Sequence, residues 1–512
     1  EADLVAGKTI LSYAQELGIE INAPCGGEGT CGQCLVEVES APGAVSRRTK
    51  VERQLIRNDG HRLACQTRIQ RTEVPIYVRI PRMAYCILET SEFWPIPVEP
   101  FVYREGDRVY YESTDVDSYT GELHGIALDI GTTTLVMYLV DLETGSVLSV
   151  ISRENPQKKY GNNVISRINF ARRGQRYLER EIRIAVNEMI AQLTERRNVY
   201  ELVVVGNPVM RDLFFGSSVQ SLGISPYEPL STKPVHKMAS QLGLVTNPNA
   251  QVYGLPLVGS FVGADALAVV LSTEMYKHKR ISMAIDIGTN TEIVLGNRDR
   301  LIATSCAAGP AFEGCSVQFG LGGVSGAINE VRLVNGKVAY RTIHHAKPIG
   351  ICGSGLIDAL AVLLENGMIN GRGKFRNDTR AFQITDSIRL FEADIDKLNL
   401  AKSAVSVGIK VLLERYGIEL RDINRIYLAG AFGYYINLEN AMRIGLLPPI
   451  ELEKVERVGD AAIEGARHVL ISRTKREEAE ALAERIEHIK LEEVQNFHEM
   501  FIGELYFQNY LN

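Results

Sequence analysis

Residues 126–148 read IALDIGTTTLVMYLVDLETGSVL, and residues 283–305 read MAIDIGTNTEIVLGNRDRLIATS. Laid over one another, the two stretches align Asp129 with Asp286 and Gly131 with Gly288. In each, an apolar run ends at the aspartate, breaks at the glycine, resumes, and breaks again at ETG or NRD. That punctuation predicts strand, tight turn, strand, turn, strand. Repetition of a whole supersecondary unit implies two similar lobes facing one cleft.

The turn carries chemistry. Past Asp129 the glycine turns the chain so that amide N–H groups and the hydroxyls of Thr132, Thr133 and Thr134 point into one space; past Asp286, Thr289, Asn290 and Thr291 do the same. Such a loop wraps phosphate oxygens, while the aspartate holds a hydrated Mg²⁺ or orients an attacking water. One D-x-G turn between strands is common and means little. Two in register, each followed by the same hairpin, favour phosphate binding.

Outward from the repeat, strands and helices alternate from Gly125 onward, the pattern of a layered α/β fold. Between the copies lie a helix pattern (RYLEREIRIAVNEMIAQLTERR), a buried strand (LVVVG) and the small-residue segment FVGADALAVVL. After the second copy, IYLAGAFG removes side-chain bulk at Gly430, Ala431 and Gly433, with Phe432 between, so that a flat base and its ribose can approach the backbone. GICGSG places Gly353, Ser354 and Gly355 at the opening of an apolar helix, where terminal N–H groups can donate to an anion. Alone, either glycine stretch reads more readily as a helix-packing turn; their order after the two aspartate loops is what favours the binding reading. The tail, residues 476–501, has apolar positions at helical spacing among charges and reads as one surface helix.

At the other end of the chain, Cys25, Cys31 and Cys34 form C-x5-C-x2-C, and Cys65 follows after thirty intervening residues. Thiolates are soft ligands suited to iron, and four complete a [2Fe–2S] site. Glycines at 26, 27, 29 and 32 let the backbone fold closely over a cluster. Structural zinc usually uses two C-x2-C pairs, and only one is present. Cys86, Cys306, Cys315 and Cys352 share no motif and read as small buried hydrophobes. From 83 to 122 the text is rich in proline and tyrosine and holds the lone Trp94, which suggests an extended linker with one or two short strands.

The whole is 512 residues, 45% apolar and 23% charged, with net charge −6. That balance argues against a general nucleic-acid binder. The given residues hold no apolar run of membrane-spanning length and no basic-then-apolar stretch ending in a small-residue cleavage site, so a soluble, cytoplasmic protein is expected. Eight cysteines are too sparse for a disulfide scaffold. The chain opens at Glu1 inside what looks like a β domain, so further residues are expected to precede it.

The order of phosphate loop, connector, phosphate loop, connector and adenosine loop resembles the actin, sugar-kinase and Hsp70-type ATPase superfamily. Residues 1 to about 80 resemble [2Fe–2S] ferredoxin domains of the adrenodoxin-like branch. Nearly the whole text, through VVVGNPVM, SFVGADALAVVL, DIGTNTEIVL, AAGPAFEG, PIGICGSGLIDALAVLL and LAGAFG, resembles the ATP-dependent reductive activators of corrinoid proteins. The resemblance implies an α+β ferredoxin-like (β-grasp) domain over 1–82, a linker over 83–122, and a two-lobed actin-like (ribonuclease H-like) ATPase over 123–512. It implies phosphate contacts from Gly131 to Thr134 and Gly288 to Thr291, adenosine contacts from Gly430 to Gly433, and Asp129 and Asp286 on metal and water. Asp265 in VGADA is then an acidic partner or a helix cap, and Asn207 in GNPVM a further polar candidate.

The cofactors implied are a [2Fe–2S] cluster, ATP and Mg²⁺. The partners implied are a corrinoid methyl-transfer protein, a low-potential electron donor and a second copy of the chain. The implied activity is one-electron reduction of Co(II) to Co(I), driven by ATP. Two other readings fit the same motifs: an activator of another low-potential metalloenzyme, and a metabolite kinase with a regulatory cluster. Some relatives carry a middle domain after the linker, and the forty linker residues leave no room for one ahead of the ATPase.

Overall fold

Both copies of the repeat fold as their punctuation predicts. The first runs His124–Ile130, Thr134–Asp141 and Val147–Glu154; the second runs Ser282–Asp286, Thr291–Gly296 and Leu301–Cys306. Each is an antiparallel meander. Beside each aspartate strand a parallel strand is added, Val199–Gly206 in the first sheet and Arg425–Ala429 in the second. Two six-stranded sheets result. The computed structural model describes residues 4–17, 19, 21, 34–55, 61–79, 96–377 and 379–507. Cys25, Cys31, Cys86, Trp94 and the glycines at 26, 27, 29 and 32 lie outside these.

The alternation of strand side chains decides where the two aspartates face. Ile126, Leu128 and Ile130 enter one buried cluster with Ile168, Ile182 and Val186 of the helix Val164–Leu193. Ala127 faces the opposite way, into a second cluster, and Asp129 is two residues further on that face. Ala284 of the second sheet lies in the same second cluster, and Asp286 follows it by two. Between the sheets run the helices Ala264–Thr273 and Ala461–Ile471, most of whose apolar residues are in that shared cluster. They cross closely: a Cβ built on Gly465 would stand 2.2 Å from the Ala268 carbonyl oxygen.

The chain divides into two compact units, residues 1–86 with 313–398 and residues 87–312 with 399–512. Both six-stranded sheets belong to the second. In the first unit, the strands His61–Leu63, Leu35–Ser40 and Ile76–Arg79 form an antiparallel sheet. The helix Ile10–Glu16, capped by the Thr9 hydroxyl, shares a core with that sheet made of Ile10, Leu11, Val36 and Leu63. This is the expected α+β arrangement. Residues 313–398 add the hairpin Ala327–Val334 and Lys337–Thr342 and the buried helix Gly353–Glu365.

Two expectations change. The linker holds three strands, Val102–Glu105, Arg108–Tyr111 and Thr114–Ser118, in one antiparallel sheet. Val102 and Val109 are fully buried in the cluster between the lobes, and that burial orders a stretch whose prolines suggested an open connector. The tail is not one helix. Arg473–Arg485 is helical, but Ile486–His488 is a strand beside Leu301–Cys306, and Phe497–Glu504 is a separate short helix. Burial of Ile486 and Ile489 and the Ile489 N–H bond to the Ala303 carbonyl (2.8 Å) outweigh the helical spacing. Among the described residues no helix is long and apolar enough to cross a membrane.

Candidate nucleotide site and cluster cysteines

The first loop closes through the Gly131 N–H bond to the Thr134 carbonyl (2.9 Å). Its other carbonyls are held from behind. Asn155 Nδ2 donates to Gly131 O (2.8 Å), Arg167 Nη2 to Thr132 O, and the Asn155 N–H to Thr133 O (2.8 Å). In a trans peptide the N–H points opposite to the carbonyl, so the amides of this turn face away from those anchors, as an anion loop requires. Asn207 caps the helix Pro208–Phe215 and donates through Nδ2 to Thr132 Oγ1 (3.0 Å). Thr134 itself begins a strand, opposite Glu154.

In the second loop the Gly309 N–H donates to Thr289 O (2.9 Å), and Thr291 is fully buried at the start of its strand. The two loops meet: Thr133 Oγ1 and Thr289 Oγ1 are 3.3 Å apart. Residues 156 positions apart in sequence are thus brought to one point by the symmetry of the fold.

At the strand end that leads into the first loop, Asp129 lies within electrostatic reach of four other carboxylates, which makes five, two more than the sequence singles out. Glu292 is the cross-strand partner of Asp286 in the hairpin register. Asp460 caps the helix Ala461–Ile471, accepting from the Ile463 N–H (3.4 Å). Asp129, Asp265 and Asp286 keep some contact with solvent, while Asp460 and Glu292 are shut away at 9% and 6% exposure. Burial first, and then the charges of Asp460, Asp265, Asp286 and Glu292, hold the Asp129 carboxyl well above its ordinary range. Asp286 is pushed up to about 8 by burial and by Asp265 and Asp460. Burial raises Asp265 and Asp460 too, but only to about 6, because backbone N–H groups at their helix starts favour the charged form.

So many carboxylates in one place need a cation or protons. Asp129 Oδ1 is buried with no hydrogen-bond partner, an acceptor fit for a metal-bound water. Among the described residues no three acidic, histidine or cysteine side chains converge to ligate one ion directly. Mg²⁺ keeps several of its waters and takes phosphate oxygens as ligands, so the Asp129 acceptor could hold it only through water. In the nucleotide-free protein the raised Asp286 value has a pH consequence. A carboxyl raised on folding contributes stability below its unfolded value near 3.8, and that contribution is lost as pH climbs through about 8. Asp286→Asn should match wild type in urea unfolding near pH 4 and exceed it by more than about 1 kcal/mol at pH 8.

The glycine loop expected to receive adenosine follows the strand Arg425–Ala429. Gly430 has φ +85°, and a Cβ there would stand 2.7 Å from Asp286 Oδ1. This glycine therefore lets the base-side loop approach the carboxylate. Phe432 stacks on Phe312 with centroids 5.7 Å apart, and Gly433 packs on Leu428. Gly430→Ala forces a side chain into a left-handed backbone and against Asp286. We expect a stability loss of about 1–2 kcal/mol and weaker binding of a fluorescent ATP analogue.

Gly353, Ser354 and Gly355 belong to the other unit, and packing accounts for two of them. Ser354 Oγ donates to Asn329 O (2.9 Å), and a Cβ on Gly355 would stand 2.3 Å from Ile328 O. Of the four cysteines expected to hold a cluster, Cys34 and Cys65 are described. The strand register pairs Leu35 with Leu63, and the Ala64 N–H donates to Cys34 O (2.8 Å). Two buried cysteines, far apart in sequence, are so brought to the same end of one sheet, as a shared cluster needs.

Paired phosphate loops on repeated sheets, behind a small cysteine-bearing α+β domain, define a two-lobed nucleotide-binding protein with an iron–sulfur module. Comparison with known proteins makes this specific. The family model described as "C-terminal domain of RACo the ASKHA domain" matches residues 280–511, "RACo middle region" matches 124–278, and "2Fe-2S iron-sulfur cluster binding domain" matches 1–70. The middle region of the family therefore falls on what the sequence reading assigned to the first ATPase lobe.

The chain is 31% identical to the corrinoid activation enzyme RamQ of Eubacterium limosum over 96% of this chain and 95% of that one. It is 28% identical to the [Co(II) methylated amine-specific corrinoid protein] reductase of Methanosarcina barkeri, over 75% and 77%. A solved structure titled "Reductive activator for corrinoid,iron-sulfur protein" superimposes with TM-score 0.73 at 29% identity, covering 99% of this chain and 96% of that one. The chain belongs to the family of reductive activators of corrinoid proteins.

Proposed function

We propose that this protein uses ATP to return an inactive Co(II) corrinoid protein to Co(I), one electron at a time. Cys25, Cys31, Cys34 and Cys65 would hold a [2Fe–2S] cluster, which when bound supplies reversible one-electron transfer. ATP with Mg²⁺ would lie between the two threonine loops. The observation that carries the nucleotide half is the 3.3 Å meeting of Thr133 and Thr289 beside five carboxylates, one with an unpartnered buried oxygen.

The chain's residues divide the work. Thr132, Thr133 and the loop amides bind phosphate from one lobe, and Gly288, Thr289 and Asn290 from the other. Asp129 and Asp286 order the metal's waters and the attacking water; Asp265 supports them from the start of its helix. Gly430 to Gly433 receive the base. A one-electron step ~200 mV uphill costs ~5 kcal/mol, within reach of ATP. No phosphoryl group need pass to a substrate: closure of the lobes on ATP selects a state with different affinity for the corrinoid partner, and hydrolysis resets it. A low-potential donor refills the cluster, the setting is the cytoplasm, and a second copy of the chain is a further partner.

The test is capture. With Mg²⁺ and a slowly hydrolysed ATP analogue, the purified protein should retain a corrinoid methyl-transfer protein in its Co(II) state, and ADP should release it. Phosphoryl transfer to a small hydroxyl compound, with no corrinoid protein retained, would turn the reading to a kinase.

A further inference from the structure

The helix Ala461–Ile471 begins and ends at two different things. Its cap, Asp460, is one of the five carboxylates of the candidate nucleotide site. Its far end holds the start of the described linker. The Glu99 N–H donates to Ile471 O (2.8 Å), and the Arg473 N–H donates to Glu99 O (3.1 Å). The Glu99 carboxylate accepts from Ser472 Oγ (3.0 Å) and from the Thr474 N–H (3.3 Å). Arg473 Nε adds a bond to Pro100 O (3.1 Å). Its guanidinium lies over Phe101 and Tyr103, and that of Arg476 lies 4.1 Å from the Phe101 ring.

Between these ends the helix has little freedom. All eleven residues are buried. Gly465 is seated against Ala268, in the helix that starts beside Asp265. Arg467, paired with Glu464, also donates to Gly145 O (2.9 Å) in the hairpin turn of the first repeat. Eleven residues span about 16 Å, and a packed helix of that length moves as a body. A displacement of Asp460 when phosphate and cation arrive therefore reappears at Ser472. From Glu99 the chain leads back, through residues 80–95, to the cysteine-bearing domain.

We propose that Glu99 is a positioning residue that clasps the linker to the far end of the Asp460 helix, so that nucleotide state sets where the linker to the electron-carrying domain is held. The inference rests on the function proposed above for what the linked domain does. The clasp itself needs only that nucleotide binding moves the helix.

The experiment uses the full chain with its cluster, as wild type, Glu99→Ala, Ser472→Ala and Glu99→Gln. Cluster spectrum and ATP hydrolysis should stay at wild-type levels in all four. The ratio of Co(I) formation with and without ATP should fall about fivefold or more in Glu99→Ala, with the ATP-free rate unchanged. Ser472→Ala should fall between, and Glu99→Gln, which keeps an acceptor for Ser472 and Thr474, should recover most of the ratio. Hydrogen exchange gives a second readout without any corrinoid: adding Mg²⁺ and ATP should change exchange at amides 99–104 in wild type and not in Glu99→Ala. Full ATP stimulation in Glu99→Ala, or a wild-type linker whose exchange ignores ATP, overturns the clasp. A wild-type linker that responds to ATP while no Co(I) forms would leave the clasp standing and remove the proposed function.

Discussion

Asp286→Ala should lower ATP hydrolysis by about 10²–10⁴-fold and leave the visible spectrum of the iron–sulfur cluster unchanged. Asp286 ends the strand that leads into the second D-x-G loop, and a Cβ on Gly430 would stand 2.7 Å from its Oδ1. Removing it takes away the group that faces Glu292 across the hairpin and, on the function proposed above, an anchor for the metal's waters. ATP-dependent Co(I) formation should fall with hydrolysis, because the conformational reset is lost. The cluster is unaffected because its cysteines lie at residues 25–65, in the other compact unit. Hydrolysis measured by phosphate release and the spectrum of the same sample decide it.

Cys65→Ser gives the opposite separation. A serine oxygen is a harder, more basic ligand than a thiolate and holds iron poorly in such a site. Cys65 follows the strand His61–Leu63 and is buried at 6% exposure in the small core with Leu63 and Val36. The variant should lose most of its [2Fe–2S] absorption and its Co(I) formation while binding nucleotide and hydrolysing ATP as before. Together the two variants show whether electron carrier and ATPase are separable parts. A Cys65→Ser protein that still forms Co(I) with ATP would mean the electron does not travel through this cluster.

The repeat was legible because its signal is local: alternation at period two, an aspartate at the strand end, a glycine in the turn. That was enough to place Asp129 and Asp286 on facing lobes. Glu292 was missed although it directly follows Thr291, because its place opposite Asp286 depends on hairpin register rather than on the motif. Asp460 had a signal that went unread: RVGDAAIEGARHVL echoes FVGADALAVVL, so the repeat extends into the helices that carry Asp460 and Asp265. The tail misled because Ile486 and Ile489 keep helical spacing while a distant strand edge offers better burial. The linker's order was equally non-local, since Val102 and Val109 are held by a core to which residues far along the chain contribute. In the GICGSG stretch, the close approach to Asn329 and Ile328 cannot be read from glycines alone.

The most direct test of the account is the UV–visible signal of a Co(II) corrinoid protein mixed with this protein, its cluster reduced by an excess of a low-potential donor, with and without ATP and Mg²⁺. The account predicts Co(I) absorption that grows with ATP and Mg²⁺ together and stays near baseline when either is withheld. Equal Co(I) formation in the absence of ATP, or none in its presence with any candidate corrinoid protein, would contradict it.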